Sequence, residues 1–344
     1  MKTLHNINTI YVFCPSCVPT GGVELLHQLV DYLRNHQKDA YIYYYNSPSA
    51  TVPDVYSKYN IATTLKVKDE PQNVIVLPET SFHISNNYEQ VQTVLWWLSI
   101  DNYYHKEKRH IPLSEIFAFS TTYGLKQCWH RFIKVFRFQW AFKYDFSINK
   151  IIQKEYINAY QSEYARLHLQ ERGVSNLYPL KDYINTDFVS ETTLSNRNPI
   201  ILYNPKKGFK FTRKLIKAAP DLNFKPLQNL SRSELQTLFQ TSMIYIDFGN
   251  HPGMDRLPRE AALNGCCIIT GTRGAAANNI DIPINPYKYK LDESKETIET
   301  VINRIREVLT TYNLCINDFE TYRQRIVEEQ NEFYKQIDNL FHLN

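Results

Sequence analysis

Residues 243–271, MIYIDFGNHPGMDRLPREAALNGCCIITG, contain the clearest structural pattern in the chain. They predict a short apolar strand, a loop that holds Arg256, a helix that opens on Pro-Arg-Glu, and a second apolar strand after Gly265. This order predicts a parallel sheet with Glu260 in the first turn of a helix at the carboxyl ends of the strands, where open α/β sheets bind ligands. Helix N–H groups suit a diphosphate, and a carboxylate beside them accepts hydrogen bonds from sugar hydroxyls. The segment therefore predicts a nucleotide-sugar site.

The rest of the chain continues the alternation of strands and helices. Its 344 residues suggest about two domains. The polar residues 190–198 are typical of a linker, and a second α/β unit follows them. Apolar residues at helical spacing predict two long helices near the end, over 298–309 and 319–337. The other predicted elements are strands at 8–13, 40–45, 73–77, 93–98 and 200–204, and a helix at 151–173.

Composition excludes several classes of protein. A net charge of +4 does not by itself indicate nucleic acid, and no nucleic-acid partner is expected. The sequence begins without a signal peptide, and no window approaches the roughly 20 apolar residues of a membrane span, so a cytoplasmic protein is expected.

Reduced thiols are expected because Cys266 and Cys267 are adjacent in an apolar strand. Cys14 and Cys17 form a CxxC without a second pair, which favours inert cysteines over a metal or redox site.

The loop after the first predicted strand contains Gly21 and Gly22. Glycines at this position let the backbone approach a bound phosphate or sugar, although a plain turn explains them equally well. The loop lacks the GxGxxG pattern, so no dinucleotide fingerprint is present.

The loop after the strand at 200–204 contains Asn204, Lys206 and Lys207. Two lysines there could neutralise a diphosphate leaving group, and the alternative is a solvated basic turn. The functional interpretation is favoured because Arg256 and Glu260 follow another strand of the same predicted sheet.

The loop after the strand that ends at Thr270 contains Gly271, Arg273 and Gly274. Its small residues permit a close approach of a ligand at the same sheet edge. A buried structural turn explains them nearly as well.

Residues 124–144 predict a basic amphipathic helix. One side carries Lys126, Lys134 and Arg137, and the other carries aromatic residues that include Trp129 and Trp140. Such a helix is typical of one that lies on an anionic membrane. The alternatives are an aromatic helix packed on the N-terminal domain and, less favoured, a surface for single-stranded nucleic acid.

Several catalytic motifs are absent from the sequence. No DxD pair is present to hold a divalent metal on a nucleotide diphosphate, so no metal cofactor is expected. HExxH and GxSxG are also absent, which sets aside zinc and serine hydrolases.

Taken together, these motifs resemble the GT-B glycosyltransferases, in particular the family-4-like (group 1) enzymes of bacterial surface polysaccharide synthesis. Gly21-Gly22-Val23-Glu24 is similar to the GG(A/V)E loop of that family, and Lys207-Gly208 to its Lys-Gly turn. The late FG-x-P-x-x-E-A segment of the family is similar to Phe248-Gly249 and to Leu257-Pro258-Arg259-Glu260-Ala261, followed by Gly265. The sequence departs from the family at Pro252, where an earlier glutamate is usual, and at Asn204, which is near the position of a Gly-Arg turn.

The resemblance implies an α/β fold of two Rossmann-like domains facing a cleft. It divides the chain into an acceptor-side domain at 1–192, a nucleotide-sugar domain at 193–317, and a helix at 318–344 that packs back on the first domain. Lys207 would contact the diphosphate, and Glu260 the ribose or nearby hydroxyls. The expected donor-binding residues are Asn204, Lys206, Lys207, Arg256, Glu260, Gly271, Arg273 and Gly274, and the expected cleft loop is Gly21, Gly22 and Glu24.

The expected function is metal-independent transfer of a sugar from a nucleotide diphosphate sugar to a glycan acceptor of capsule, O-antigen or another surface polysaccharide. A polyprenyl-linked acceptor at the inner membrane face is expected. If the reaction inverts, Glu79 and Asp101, at the ends of predicted strands, are the candidate general bases. The alternatives are another GT-B reaction, such as epimerisation of a nucleotide sugar, and a catalytically silent subunit tethered at the membrane.

Overall fold

The computed structural model describes residues 2–16, 20–45, 51–107, 148–185, 194 and 196–343. These residues form two compact units. The N-terminal unit consists of residues 1–161, 165–180 and 337–344, and the C-terminal unit of residues 162–164 and 181–336. The division of the sequence at residue 192 stays a prediction, and most of the predicted linker at 190–198 lies outside the described residues.

The N-terminal unit is built on a parallel sheet of six strands in the order β2-β1-β3-β4-β5-β6. The strands β1, β3 and β4 are almost continuously apolar and buried, as is usual for parallel strands that helices cover on both faces. The strands are β1 (Thr9–Cys14), β2 (Asp39–Tyr44), β3 (Val74–Pro78), β4 (Gln92–Trp97), β5 (Ile157–Tyr160) and β6 (Leu177–Pro179). Its helices among the described residues are α1 (Gly21–Asn35), α2 (Ile100–Glu107), α3 (Ile148–Lys154) and α4 (Glu163–Glu171), whose first two residues belong to the C-terminal unit, with 3-10 helices at Asp54–Tyr56 and Glu79–Asn87.

The single helix predicted at 151–173 is wrong. The structure has α3, β5 and α4 in this region. Glu155 adopts a φ of 50°, which ends α3, and β5 then pairs with β4 on one side and β6 on the other. Asn158 on β5 accepts a hydrogen bond from the indole of Trp97 at 3.0 Å. Tertiary pairing therefore overrides the helical spacing of the sequence.

The C-terminal unit is built on a parallel sheet of four strands in the order β10-β9-β7-β8. The strands are β7 (Asn198–Tyr203), β8 (Asn223–Pro226), β9 (Ser242–Asp247) and β10 (Cys267–Thr270). The helices are α5 (Phe209–Ala218), α6 (Arg232–Thr241), α7 (Arg256–Leu263), α8 (Pro286–Tyr289), α9 (Ile298–Thr310), α10 (Tyr312–Cys315) and α11 (Glu320–Phe341), with 3-10 helices at Ala275–Ala277 and Ile316–Phe319. The two parallel sheets confirm the predicted α/β class.

The helix that carries Glu260 begins two residues earlier than the sequence suggests. Asp255 is its N-cap residue and Arg256 its first residue, so that Pro258 lies within the first turn, where proline is tolerated. Glu260 is therefore in the second turn, and its predicted position in the first turn is wrong. The strand–helix–strand order itself is confirmed by β9, α7 and β10.

The two long helices predicted near the end are confirmed as α9 and α11. Val301, Ile305 and Val308 form the buried face of α9. Phe333 and Ile337 are fully buried on α11, whose last turns belong to the N-terminal unit. In the described part of the chain, no helix has both the length and the apolar character that a membrane span requires.

Candidate functional site

Three loops of the C-terminal unit follow neighbouring strands and interlock at one edge of its sheet. They follow β7, β9 and β10, which are adjacent and parallel. Gly208, at the end of the first loop, has a φ of 62°, and a Cβ on it would lie 2.5 Å from the backbone nitrogen of Gly249 in the second loop. Gly274 in the third loop has a φ of 64°, and a Cβ on it would clash with the carbonyl of His251. The chain therefore needs glycine where these loops meet.

Lys207 in the first loop forms an ion pair with Asp255 of the second loop. The Lys207 Nζ lies 2.5 Å from Asp255 Oδ2, and 30% of the Lys207 side chain is exposed. Asn204 shapes the turn before it, because its side-chain oxygen accepts a hydrogen bond from the Lys206 backbone N–H at 3.0 Å. Of the two predicted lysines, Lys207 is therefore the one that the neighbouring loop holds.

Asp247 and His251 lie behind Asp255. The fully buried ring of His251 is between the two carboxylates, with Nδ1 3.0 Å from Asp255 Oδ2 and Nε2 3.8 Å from Asp247 Oδ1. Asp247 also accepts hydrogen bonds from the Gly249 backbone N–H at 2.8 Å and from the Tyr245 hydroxyl at 3.0 Å. The three side chains bring possible metal ligands within 4.8 Å of one another. The Lys207 ammonium and the His251 ring both contact the same oxygen of Asp255, Oδ2.

Arg273 of the third loop also contacts its neighbours. Its guanidinium donates a hydrogen bond to the Phe248 carbonyl at 2.5 Å and pairs with Glu293 at 2.6 Å. Burial raises the pKa of Glu293, and the charge of Arg273 opposes this rise. Only glycine at position 271 avoids a steric clash with this carboxylate, because a Cβ on Gly271 would lie 2.7 Å from Glu293 Oε2.

A cavity of about 430 Å³ opens at the N-terminus of α5. Three cations, one carboxylate and two phenylalanines surround it, and the α5 backbone adds N–H groups with the positive end of the helix dipole. Such a lining suits a phosphorylated ligand that also carries hydroxyl or N–H groups. The lining residues are Gly208, Phe209, Lys210, Phe211, Lys214, Asn250, Arg273 and Glu293, and the predicted Lys206, Lys207, Arg256 and Glu260 are not among them.

Glu260 is 8% exposed. Burial raises the pKa of its carboxyl, and the charges of Arg256, Arg232 and Arg259 oppose that rise. Among the described residues, no side-chain hydrogen bond holds this carboxylate, which leaves its oxygens able to accept hydrogen bonds from a ligand. Arg256 lies 3.5 Å from Asp182.

Arg259 is buried and forms two ion pairs within the C-terminal unit. It is 1% exposed and pairs with Asp182 at 3.1 Å and with Glu329 at 2.7 Å, which joins α7 to residue 182 and to α11. Burial raises the pKa of Glu329 to about 7, because one guanidinium does not fully offset the desolvation of two carboxylates.

The predicted residues of the N-terminal unit follow three neighbouring strands, β1, β3 and β4. Gly21 and Gly22 open α1, and Glu24 on the same helix accepts a hydrogen bond from the Tyr59 hydroxyl at 2.8 Å. Glu79 follows β3, is 2% exposed, and accepts a hydrogen bond from the Leu98 backbone N–H at 3.0 Å. Asp101 lies in the first turn of α2. The catalytic roles of Glu79 and Asp101 and the ligand contacts of the glycine loop stay predictions.

The predicted membrane-contact residues, Lys126, Trp129, Lys134, Arg137 and Trp140, lie outside the described residues. Cys14, Cys266 and Cys267 are buried free thiols whose pKa burial raises, while Cys17 also lies outside the described residues.

Sequence reasoning missed Asp247, His251, Asp255 and Glu293. A signal for three of them was present, because Asp247, His251 and Asp255 recur every four residues from the end of the predicted strand into the predicted loop. Because side chains in a loop have no fixed periodicity, a spacing of four residues there did not predict that the three side chains come together. Glu293 is 20 or more residues beyond the segment and comes close only through the fold.

The fold is shared with solved glycosyltransferases of low sequence identity. The chain is similar to a sucrose-phosphate synthase from Thermosynechococcus elongatus, with a TM-score of 0.61 and 10% identity over 97% of this chain and 98% of that one. It is also similar to HepE from Anabaena, solved in complex with UDP, with a TM-score of 0.55 and 10% identity over 96% and 100%. A third is WaaG, a glycosyltransferase involved in lipopolysaccharide biosynthesis, with a TM-score of 0.53 and 12% identity over 96% and 99%.

No family model and no curated protein matches the sequence. At these identities the likeness shows the fold alone. The expected GT-B fold is thereby confirmed.

Proposed function

We propose that this protein is a glycosyltransferase that uses a nucleotide diphosphate sugar as donor and binds it in the C-terminal unit. The observation that carries the proposal is the basic cavity at the N-terminus of α5, at an edge where three parallel strands end. Open α/β sheets bind ligands outside the carboxyl ends of their strands. HepE, which has a similar fold, was solved in complex with UDP.

The charges around the cavity support binding of a diphosphate. Lys210, Lys214 and Arg273 line it, and Lys207 immediately precedes Gly208 in the same loop. Cations at this position stabilise the negative charge that develops on a departing nucleoside diphosphate. Glu260 supplies an acceptor for ribose or sugar hydroxyls.

The acceptor is proposed to be a glycan of capsule, O-antigen or another surface polysaccharide, held on a polyprenyl lipid. WaaG, with a similar fold, is involved in lipopolysaccharide biosynthesis. In this proposal residues 124–144 bind the anionic inner face of the membrane, and the transfer needs no metal. Glu79 or Asp101 acts as general base if the anomeric configuration inverts.

Release of nucleoside diphosphate from a panel of UDP-, GDP- and ADP-sugars tests the proposal, with polyprenyl-linked glycans as acceptors. We expect turnover with one donor class and its retention in EDTA. Conversion of the donor to an isomer without diphosphate release would identify an epimerase instead. Nucleotide binding without any turnover would identify a catalytically silent subunit. The absence of both binding and turnover would exclude all three functions.

A further inference from the structure

The Lys207 side chain pairs with Asp255 and is still partly exposed. Its Nζ lies 2.5 Å from Asp255 Oδ2. The side chain of Lys207 is 30% exposed and that of Asp255 is 18% exposed, so the lysine is the more exposed member of the pair. A lysine ammonium has three N–H donors, and one contact with Asp255 leaves two for a ligand.

Asp255 also contacts the buried ring of His251 at ion-pair distance. His251 Nδ1 lies 3.0 Å from the same carboxylate oxygen, and the His251 ring is fully buried. On the far side of the ring, Asp247 is 1% exposed and accepts hydrogen bonds from Gly249 and Tyr245. Exposure therefore rises along the row from Asp247 and His251, through Asp255, to Lys207.

We propose that Asp255 is a positioning residue, which holds the Lys207 ammonium in place for a nucleoside diphosphate and is kept in place by His251. The proposal rests on the proposed function, because it specifies how the donor site of that function is preorganised. Neither carboxylate of the row contacts the ligand in this scheme.

The physical reason is the flexibility of lysine. A free lysine side chain must lose most of its rotamer freedom when it binds an anion, which weakens binding. An ammonium that Asp255 already fixes has lost that freedom before the ligand arrives. Burial on its own would raise the pKa of Asp255, but the His251 ring and the Lys207 ammonium lower it below its ordinary value, so the carboxylate stays ionised.

Calorimetric titration with UDP, GDP and ADP tests the proposal in a double-mutant cycle of Asp255→Asn and Lys207→Ala. Asparagine is as good an N-cap residue as aspartate, and Asp255 makes no side-chain cap hydrogen bond, so Asp255→Asn keeps α7 intact. The matched control is Asp221→Asn, because Asp221 pairs with Arg306 on the surface. Thermal unfolding of each variant checks that it folds.

We expect Lys207→Ala to weaken binding of the preferred nucleotide about tenfold, as loss of a hydrogen bond from a charged group does. Asp255→Asn should weaken nucleotide binding about threefold to tenfold in the wild-type background. It should have no effect in the Lys207→Ala background, because Asp255 acts through Lys207. Asp221→Asn should bind like wild type.

Equal or tighter binding by Asp255→Asn, or losses that multiply in the double variant, would overturn the inference. Nucleotide binding that requires Mn²⁺ and that EDTA abolishes would overturn the inference as well, since Asp247, His251 and Asp255 would then hold a cation. If Lys207→Ala weakens binding and Asp255→Asn does not, the inference alone fails. If the wild type binds no nucleoside diphosphate, the proposed function fails together with it.

Discussion

Lys207 Nζ lies 2.5 Å from Asp255 Oδ2, and this ion pair joins the loop after β7 to the N-cap of the helix after β9. The two loops also touch through Gly208, whose Cβ position is filled by the backbone of Phe248 and Gly249. The edge of the C-terminal sheet is therefore a fixed arrangement of loops rather than a set of independent turns. A ligand that binds there meets groups that are already in place.

Glu260→Gln should weaken nucleotide binding and remove part of its pH dependence. Burial raises the pKa of Glu260 above its ordinary value. The ionised carboxylate is the better hydrogen-bond acceptor for hydroxyls, so wild-type affinity should fall as the pH falls through this raised pKa. Titration calorimetry between pH 5 and 8 measures the effect. An equal pH dependence in both proteins would remove Glu260 from the ligand contacts.

Gly208→Ala should lower the thermal stability more than Gly173→Ala does. Both glycines have positive φ, of 62° and 79°, so both substitutions pay the cost of the left-handed conformation, about 1 kcal/mol. A Cβ on residue 208 would also clash with the backbone of the neighbouring loop, whereas nothing lies within 4 Å of the Cβ position of Gly173. Equal losses in melting temperature would show that the loops separate easily.

Arg259→Met should destabilise the chain by about 3–5 kcal/mol, because it leaves Asp182 and Glu329 buried without their partner. Denaturant unfolding measures the loss. The exposed pair of Arg306 with Asp221 offers a control, since Arg306→Met should leave stability nearly unchanged. Similar effects of the two substitutions would contradict the structural role of Arg259.

Wild type should lose stability relative to Glu329→Gln as the pH rises from about 4.5 to about 7. The pKa of Glu329 is raised to about 7 in the folded chain, from 4.5 as its ordinary value. The folded state therefore binds the proton more tightly, and the stabilisation is present below pH 4.5 and lost as the pH passes the folded pKa. Unfolding curves of both proteins across this range check it. The same slope in the variant would assign the effect to other groups.

Replacement of Lys126, Lys134 and Arg137 by glutamate should abolish sedimentation with vesicles of anionic lipid. The prediction comes from the sequence, where these cations share one side of an amphipathic pattern with aromatic residues opposite. Vesicles of neutral lipid are the control. If the wild type does not sediment with anionic vesicles, these residues have a packing role instead.

Periodicity and loop chemistry predicted most of the fold. The alternation of apolar strands with helices gave the α/β class, and Gly265 marked the end of α7. The helix at 151–173 was wrong because strand pairing, rather than local spacing, determines the conformation of residues 157–160. Local patterns carry no information about such long-range pairing.

The candidate site was only partly predictable. Lys207 and Arg273 were expected because they follow strands, and the end of a strand is visible in the sequence. Asp255 and Glu293 were not expected, because their importance depends on which loops touch. The buried partners of Arg259 are 77 and 70 residues away in sequence, which no local pattern connects.

The most direct test of the account is a calorimetric titration of nucleoside diphosphate into wild type, Lys207→Ala and Lys217→Ala. Lys217 is exposed in the last turn of α5, at the opposite end of the helix from the cavity. We expect binding by the wild type, a loss of about tenfold in Lys207→Ala, and no change in Lys217→Ala. Wild-type affinity in Lys207→Ala would contradict a donor contact at Lys207, and no binding of UDP, GDP or ADP by the wild type would contradict a donor site at this edge of the sheet.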